Sequence, residues 1–375
     1  MRRNIIYMVW CAVALLVSCG DAGCGSVCVH PSDVGQVRKA DRELSSLPTT
    51  PSVQRVRLLF AGDAMCHSPQ ITAAYRADGS LDFRGSFAAV KPYFDRADLA
   101  VVNLETTISA NSQYSGYPTF SSPAEYAEAL AWAGMDVALL ANNHCCDRGA
   151  RGIRSSVAAL NRLGVAHTGA FADQEDYDKN SILRFERGGI RFALVNYTYG
   201  TNGIPVPSDC RVNLIDTLRM AEDLARARVD ADCLVACLHW GEEYRRQPSR
   251  EQRALAEFMH RHGVDILVGS HPHVVQPALT DGESVTIYSL GNFVSNQRKR
   301  YCDGGIMAEV EVEKRSDGSL RYSLCVTPVW VSVPGYRVLP PEVAAKMIGK
   351  DQQRADYEQF MYDTERLFVE GLKPL

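Results

Sequence analysis

The 375-residue chain has no surplus of basic residues, since 40 Lys and Arg stand against 44 Asp and Glu, a formal net charge of −4. It also has no stripe of Lys and Arg interleaved with aromatic residues, and both absences argue against a nucleic-acid-binding protein. No Cys-x-x-Cys pair with zinc-ribbon spacing occurs among its 12 cysteines, which argues against that kind of zinc module. No repeat at a solenoid period is present, and the apolar run Ile5–Val17 is short for a transmembrane span.

The start of the chain predicts export and lipid attachment. Residues 2 and 3 are arginines, the apolar run follows, and Leu16-Val17-Ser18-Cys19 resembles the lipobox of bacterial lipoproteins. We therefore predict a lipoprotein signal peptide over residues 1–19, with lipid on Cys19 anchoring the protein in the bacterial cell envelope. An ordinary signal peptide or an uncleaved anchor is the alternative. Residues 20–54 are rich in Ser, Asp, Pro, Thr and Gly and predict a flexible linker.

Five apolar runs each end in a residue type that binds metals. Unbroken apolar runs are typical of strands buried on both faces, as in a parallel sheet covered by helices. In such sheets the functional site lies beyond the carboxyl ends of the strands, so we expect these polar residues to meet at one edge. The pattern favours a metal-centred site. The runs are Leu58–Ala61 before Asp63, Leu99–Val102 before Asn103 and Glu105, Val137–Ala141 before Asn142, Asn143 and His144, Leu234–Leu238 before His239, and Ile266–Ser270 before His271 and His273.

The order of helices and strands predicts an α/β fold. Predicted helices at 84–96, 122–134, 150–163, 213–228 and 249–263 alternate with the apolar runs, which favours a mostly parallel sheet. Later strands, near 182–196, 285–290, 305–312 and 322–329, are expected to form a second, more antiparallel sheet packed on the first. We predict two packed β-sheets flanked by helices over residues 55–335, with C-terminal helices over 336–375 packed on that domain.

The polar residues at the strand ends suggest particular roles. His271 and His273 flank a proline in an extended segment that aims both rings the same way, and neutral imidazoles are common metal ligands. His144 suits a general acid whose other nitrogen is held by Asp147. Ordinary structural roles are the alternatives: a helix cap for Asp63, a surface position for Glu105, a turn for Asn143, a core position for His239 and a solvated loop for His271 and His273.

Taken together, these segments resemble the bacterial capsule-synthesis CapA family, the poly-γ-glutamate capsule proteins, from about residue 56 to residue 300. The resemblance implies a relative of the calcineurin-like metallophosphoesterases, whose fold is a four-layer α/β/β/α sandwich. The matching segments are Gly62-Asp63-Ala64-Met65, Asn103-Leu104-Glu105, Ala141-Asn142-Asn143-His144 with Asp147 and Gly149, His239 to Tyr244, Gly269 to Pro277, and Ser289 to Phe293.

The resemblance also implies roles for single residues. It makes His144 the proton donor, with Asp147 beside it, and implies one or two divalent ions, for which mixed oxygen and nitrogen ligands suit Mn, Fe or Zn. The phosphoesterases usually carry Asp-x-His at the first strand, whereas this chain has Met65 there and His67 two residues later. The implied metal ligands are Asp63, Glu105, Asn143, His239, His271 and His273. Candidates for substrate binding, each with a packing or surface role as the alternative, are His67, Tyr197, Trp240, Glu242, Tyr244 and Asn292.

The expected function is that of an envelope-anchored, metal-dependent hydrolase or transferase acting on a cell-surface polymer or a phosphoester. Its expected partners are that substrate, the membrane through the lipid anchor, and other capsule-synthesis proteins, with no nucleic acid. The alternative is a non-catalytic accessory or scaffold protein that binds capsule polymer or membrane partners. Cys145 and Cys146, next to His144, are expected to fill space beside the site.

Overall fold

The computed structural model describes residues 27–29, 54–349 and 352–371. The predicted signal peptide with Cys19, and most of the predicted linker, lie outside these residues. The strands are β1 (Val27–Val29), β2 (Gln54–Ala64), β3 (Leu99–Leu104), β4 (Val137–Leu139), β5 (Ala166–Thr168), β6 (Ala170–Phe171), β7 (Leu183–Arg187), β8 (Ile190–Thr198), β9 (Arg211–Val212), β10 (Cys233–His239), β11 (Ile266–Ser270), β12 (Ala278–Thr280), β13 (Val285–Ile287), β14 (Asn292–Val294), β15 (Gly304–Lys314), β16 (Leu320–Ser332) and β17 (Arg337–Leu339). The helices are α1 (Ser68–Ala74), α2 (Arg84–Phe87), α3 (Lys91–Phe94), α4 (Ala124–Ala133), α5 (Gly149–Leu163), α6 (Gln174–Asn180), α7 (Thr217–Arg228), α8 (Arg250–Arg261), α9 (Pro341–Met347) and α10 (Gln352–Glu370).

Two large sheets contain most of the strands. The first has the order β1-β16-β15-β2-β3-β4-β5, with β14 beside β2 and β17 beside β16. The second has the order β12-β13-β11-β10-β8-β7. Strands β2 to β5 pair in parallel, as do β8, β10, β11 and β13. The hairpin β15–β16 joins the first sheet by running antiparallel to β2.

The assignment of strands to sheets differs from the prediction. The five apolar runs were expected to share one parallel sheet, but β2, β3 and β4 lie in the first sheet and β10 and β11 lie in the second. The reason is long-range pairing: β15 covers one edge of β2, while β10 pairs with β8. Both sheets nevertheless direct the carboxyl ends of these strands to the same edge of the molecule.

Alternate side chains of each central strand face different layers, as the period of a strand requires. In β2, Leu58 and Phe60 lie between the two sheets, whereas Leu59 and Ala61 face the helices outside the first sheet. In β10, Val235 lies between the sheets. The outer helical layers are anchored by Phe87, Leu130 and Ile153 on the first sheet and by Met220, Leu224 and Met259 on the second. The predicted architecture of two packed sheets flanked by helices is therefore confirmed.

The C-terminal helices pack beside the first sheet. Trp330 of β16 contacts a cluster formed by α9 and α10 that includes Tyr357 and Phe360. Within the predicted linker, Val27–Val29 forms the edge strand β1 along β16. Among the described residues, no helix has both the length and the apolar character that crossing a bilayer requires.

Candidate metal centre

The polar residues predicted from the five runs lie together where the carboxyl ends of the two sheets meet. Asp63 belongs to the end of β2, and Glu105 follows β3 directly. His239 is the last residue of β10. Each of the six predicted ligands is at most 3% exposed, so this is an interior cluster and not a solvated rim. These six are Asp63, Glu105, Asn143, His239, His271 and His273.

A bulge in β2 brings Asp63 to the correct face. Leu58 and Phe60 face the space between the sheets, so regular alternation would turn Asp63 toward the outer helices. The pairing with β3 shifts between Ala61 and Asp63, which leaves Gly62 as the extra residue and sets Asp63 opposite Asn103. A Cβ on Gly62 would lie 2.1 Å from the carbonyl oxygen of Gly291, so only glycine fits this position.

Replacing Gly62 with alanine is therefore expected to lower the free energy of unfolding by at least about 1–3 kcal/mol, the usual cost of forcing atoms into a packed interior. Urea denaturation measures the change. Gly85→Ala is the matched control, because a Cβ there meets nothing within 4 Å and Gly85 lies in helix α2. The control should be neutral or slightly stabilising. Equal, small effects of both substitutions would contradict the steric argument.

Two buried carboxylates form the acidic half of the cluster, and Asn103 joins them. The Asn103 Nδ2 group donates to Asp63 Oδ1 at 2.8 Å and lies 3.4 Å from both Glu105 Oε2 and His239 Nδ1. Burial, and to a smaller extent the neighbouring Asp63 carboxylate, raises the pKa of Glu105 well above its ordinary value. Two buried carboxylates in one cluster favour the binding of a cation, which would offset their mutual repulsion.

Three histidines and Asn143 form the other half. His239 Nε2 lies 3.0 Å from Asn143 Oδ1 and 3.7 Å from Glu105 Oε1. His273 Nδ1 donates toward Asp63 Oδ2 and Asn292 Oδ1, both at 3.1 Å. Because Nδ1 is taken up by these two oxygens, Nε2 is the His273 nitrogen that faces Glu105, at 4.0 Å from Oε1.

Two of the imidazoles, those of His239 and His271, are held in the neutral form that binds metals. Burial, with a smaller contribution from His273, lowers the pKa of His271 to about 3. Burial, with contributions from His271 and His273, lowers the pKa of His239 well below its ordinary value. At neutral pH these two rings therefore offer unprotonated nitrogens.

The backbone of the His-Pro-His segment is strained, and the prediction that it is extended is wrong. His271 has a φ of 100° and His273 a φ of 58°, and both values lie in the region that side chains other than glycine rarely occupy. The strained turn brings the ring centroids of His271 and His239 to 4.8 Å. Strain of this kind concentrates at functional sites.

The donor set fits a divalent cation. One ligand atom each from Asp63, Glu105 and His239 lie within 4.8 Å of one another. Glu105 Oε1 and His271 Nδ1 are buried and have no hydrogen-bond partner. A buried polar atom without a partner is costly, and coordination of a cation would supply such an atom with a partner. Mixed carboxylate, imidazole and carboxamide donors suit a first-row transition metal.

His144 and Asp147 form a pair beside the cluster. His144 Nδ1 donates to Asp147 Oδ2 at 2.8 Å, and that oxygen also accepts the backbone N–H of Phe120 at 2.6 Å. The His144 ring meets Phe120 edge-on, with centroids 4.7 Å apart. Since Asp147 holds Nδ1, the Nε2 atom of His144 is the ring nitrogen without that partner, and the chain neighbour Asn143 contacts His239.

The six candidates for substrate binding separate into three groups. Tyr244 and Asn292 lie at the cluster, since the Tyr244 ring is 6.2 Å from that of His273 and Asn292 holds His273. His67 contacts Gln70 and Phe120 near His144, so it is not one of the grouped ligands. The others lie elsewhere: Tyr197 donates to Asp223, Trp240 donates to the Tyr288 carbonyl in the second helical layer, and Glu242 is on the surface.

Sequence reasoning gave too little weight to two residues. Asn103 is the hydrogen-bonding centre of the acidic half, and its position two residues before Glu105 on one strand face was the available signal. Tyr199, which is 48% exposed, covers His271 with ring centroids 4.5 Å apart. Cys145 and Cys146 are buried with Sγ atoms 3.8 Å apart, which matches their expected packing role.

Comparison with known proteins identifies the family. Residues 57–297 match the model of the bacterial capsule synthesis protein PGA_cap family. The chain belongs to this family. The prediction of a capsule-synthesis protein from the motifs is thus confirmed, and the PGA_cap segment contains all six candidate ligands together with His144 and Asp147.

Relatives of this PGA_cap protein carry matching names. It is 30% identical over 259 residues to the capsule biosynthesis protein CapA of Bacillus anthracis. The aligned region covers 65% of this chain and 61% of that protein. It is 26% identical over 285 residues to the PGA biosynthesis protein CapA of Bacillus subtilis strain 168, and this aligned region covers 72% of this chain and 70% of that protein. A hypothetical protein from Thermus thermophilus, known from a crystal structure, aligns with a TM-score of 0.44 at 16% identity over 72% of this chain and 99% of that one.

Proposed function

We propose that this protein is a metal-dependent hydrolase or transferase that acts on a polymer or phosphoester of the bacterial cell envelope. The observation that carries the proposal is the pair of buried, unpartnered ligand atoms, Glu105 Oε1 and His271 Nδ1, inside a cluster of carboxylates and neutral imidazoles. Structural packing gives no reason to bury these atoms without partners.

The chain's own residues supply the rest of the reaction. One or two divalent ions of Mn, Fe or Zn, held among the six candidate ligands, would supply Lewis-acid chemistry and acidify water. Asn103 and Asn292 keep Asp63 and His273 in position through the hydrogen bonds described above. His144 donates a proton from Nε2 to the leaving group, and Asp147 fixes its orientation through Nδ1.

The substrate and the location are part of the same proposal. The relatives' names refer to capsule and PGA biosynthesis, which supports a surface polymer as substrate and other capsule-synthesis proteins as partners. A lipid on Cys19 would keep the enzyme at the membrane. The bond attacked is a phosphoester or an amide of the polymer chain.

A non-catalytic accessory role is the second candidate. Position 65 is a buried methionine where the phosphoesterases carry a histidine, and His67 is bound to Gln70 instead. The candidate site of this chain therefore has one nitrogen ligand fewer than the sites of those enzymes. The pair of His144 and Asp147 favours the enzyme, because a metal that only stabilised the fold would not require it.

We expect the full-length protein to carry one or two divalent ions and to hydrolyse a phosphodiester or poly-γ-glutamate only while loaded. Elemental analysis measures the metal, and bis(p-nitrophenyl) phosphate and the polymer are the assay substrates. Chelation should abolish activity and lower the melting temperature, since an ion at about 100 times its Kd stabilises by about 2.7 kcal/mol. A fully loaded protein that hydrolyses neither substrate would favour the accessory role.

A further inference from the structure

An exposed cation lies at the edge of the candidate metal centre. The Lys299 Nζ atom is 3.8 Å from the centroid of the Tyr244 ring, a distance typical of a cation–π contact. The Tyr244 ring is in turn 6.2 Å from that of His273 and is 37% exposed. The ammonium group is thus placed one aromatic ring away from a candidate metal ligand.

Lys299 has no acidic partner among the described residues, in contrast to Arg245 and Arg300, each of which directly follows a member of the cation–π pair in the chain. Arg245 pairs with Glu242 at 3.4 Å and Arg300 pairs with Asp363 at 3.1 Å. Within the part of the chain that the structure describes, no carboxylate lies within 4.0 Å of Lys299 Nζ, and its side chain contacts the face of Tyr244. An unpaired ammonium is a donor for an incoming anion.

Both members of the pair are anchored to the metal centre. Tyr244 adopts a φ of 68° and donates its backbone N–H to the Pro272 carbonyl at 2.8 Å, which ties it to the His-Pro-His segment. Asn292, which holds His273, donates to Gln297 Oε1 at 2.9 Å and to the Cys302 carbonyl at 2.7 Å. The loop that carries Lys299 is therefore fixed on either side of it.

An acidic residue, Glu243, also lies near the exposed rings of Tyr199 and Tyr244, which border the cluster and mark its entrance. Burial is the largest cause of the raised pKa values of the Tyr199 and Tyr244 hydroxyls, and the Glu243 carboxylate is the next largest for both. Glu243 therefore lies near both rings that border the cluster, and it is exposed. Its charge repels an anion at the entrance, so the net preference depends on the balance between Glu243 and Lys299.

We propose that Lys299, held over Tyr244, is the specificity-determining residue that binds an anionic group of the substrate next to the bond under attack. A carboxylate or a phosphate fits this position, with the aliphatic part of the substrate against the exposed tyrosines. The inference rests on the proposed function for the identity of the site, but anion binding at Lys299 can be measured without turnover.

Calorimetric binding to the full-length, metal-loaded protein tests the proposal. The probes are an oligo-γ-glutamate, its uncharged amide and a nonhydrolysable phosphate monoester analogue. Lys299→Met should weaken binding of at least one anionic probe about tenfold, the value of one charge-assisted hydrogen bond, while Lys299→Arg stays within about threefold of the parent. Glu243→Gln should strengthen the same binding, and the amide should respond to none of these changes.

Lys179→Met is the matched control, because it also removes an exposed lysine, here on helix α6. This helix lies beside β5, the edge strand of the first sheet, which it contacts through the hydrogen bond between Asp176 and His167. It should leave every affinity unchanged. The anionic probe that responds identifies carboxylate or phosphate as the group recognised. Affinities that ignore Lys299, or a loss that is equal for the uncharged amide, overturn the proposal. Binding that depends on Lys299 in a protein without turnover would contradict the proposed hydrolase and support this inference. Turnover together with binding that does not depend on Lys299 would support the hydrolase and contradict this inference.

Discussion

Replacing His144 with asparagine is expected to slow turnover by about 10²- to 10⁴-fold, the usual contribution of a positioned general acid, with no loss of bound metal. The ring is buried, oriented by Asp147 at 2.8 Å and packed on Phe120, so its Nε2 proton has a defined direction. Elemental analysis and steady-state kinetics on the same preparation separate chemistry from metal loading.

The choice of leaving group sharpens this test. A p-nitrophenolate leaves without much help from a proton, whereas an alkoxide needs one, so the loss in the His144→Asn variant should be larger for an alkyl ester than for the aryl ester. Asp147→Asn should give a smaller loss, because the neutral amide oxygen still accepts the Nδ1 proton. Equal losses for both esters, or loss of the metal with the ring, would show that His144 positions the ion and does not donate a proton.

Sequence periodicity revealed the strands but not the sheets. An apolar run such as that of β10 looks the same whether it is buried in the first sheet or the second, because helices cover one face and the other sheet covers the opposite face in both cases. The pairing of β15 with β2 joins residues more than two hundred positions apart. The local signal at α8 was reliable: Ser249 and Gln252 form a capping box at the start of the helix predicted over 249–263.

The candidate site shows the same limit at the scale of single residues. The convergence of Asp63, Glu105 and His239 follows from strand ends alone, whereas the assignment of Trp240 to the substrate site ignored strand parity. Leu234, Ala236 and Leu238 face the helices, so Trp240 faces them as well. Counting alternate residues along β2 would have placed Asp63 on the wrong face of the sheet, because the bulge at Gly62 shifts the alternation by one residue. The left-handed backbone at His271 has no signature in the sequence.

Glu105→Gln should change the stability of the protein in opposite directions with and without metal. Burial and Asp63 raise the pKa of Glu105, so its ionised form costs folding free energy above the pKa of the unfolded chain. In chelator at neutral pH we therefore expect the Gln variant to be more stable by about 1–3 kcal/mol, the scale of a buried polar group without a partner. The two proteins should converge as the pH falls from the raised pKa to that of the unfolded chain, because Glu105 is then neutral in both states.

Adding Mn²⁺ or Zn²⁺ should reverse the order of the two melting temperatures. The parent gains stability from the bound ion, whereas the variant has lost a charged ligand and should show little shift at the same metal concentration. Glu257→Gln on the exposed side of α8 is the matched control and should alter neither melting curve. A variant that is destabilised in chelator yet binds metal like the parent would assign Glu105 to the architecture of the fold. Reversal of the order identifies it as a carboxylate buried, at a cost in stability, to bind a cation.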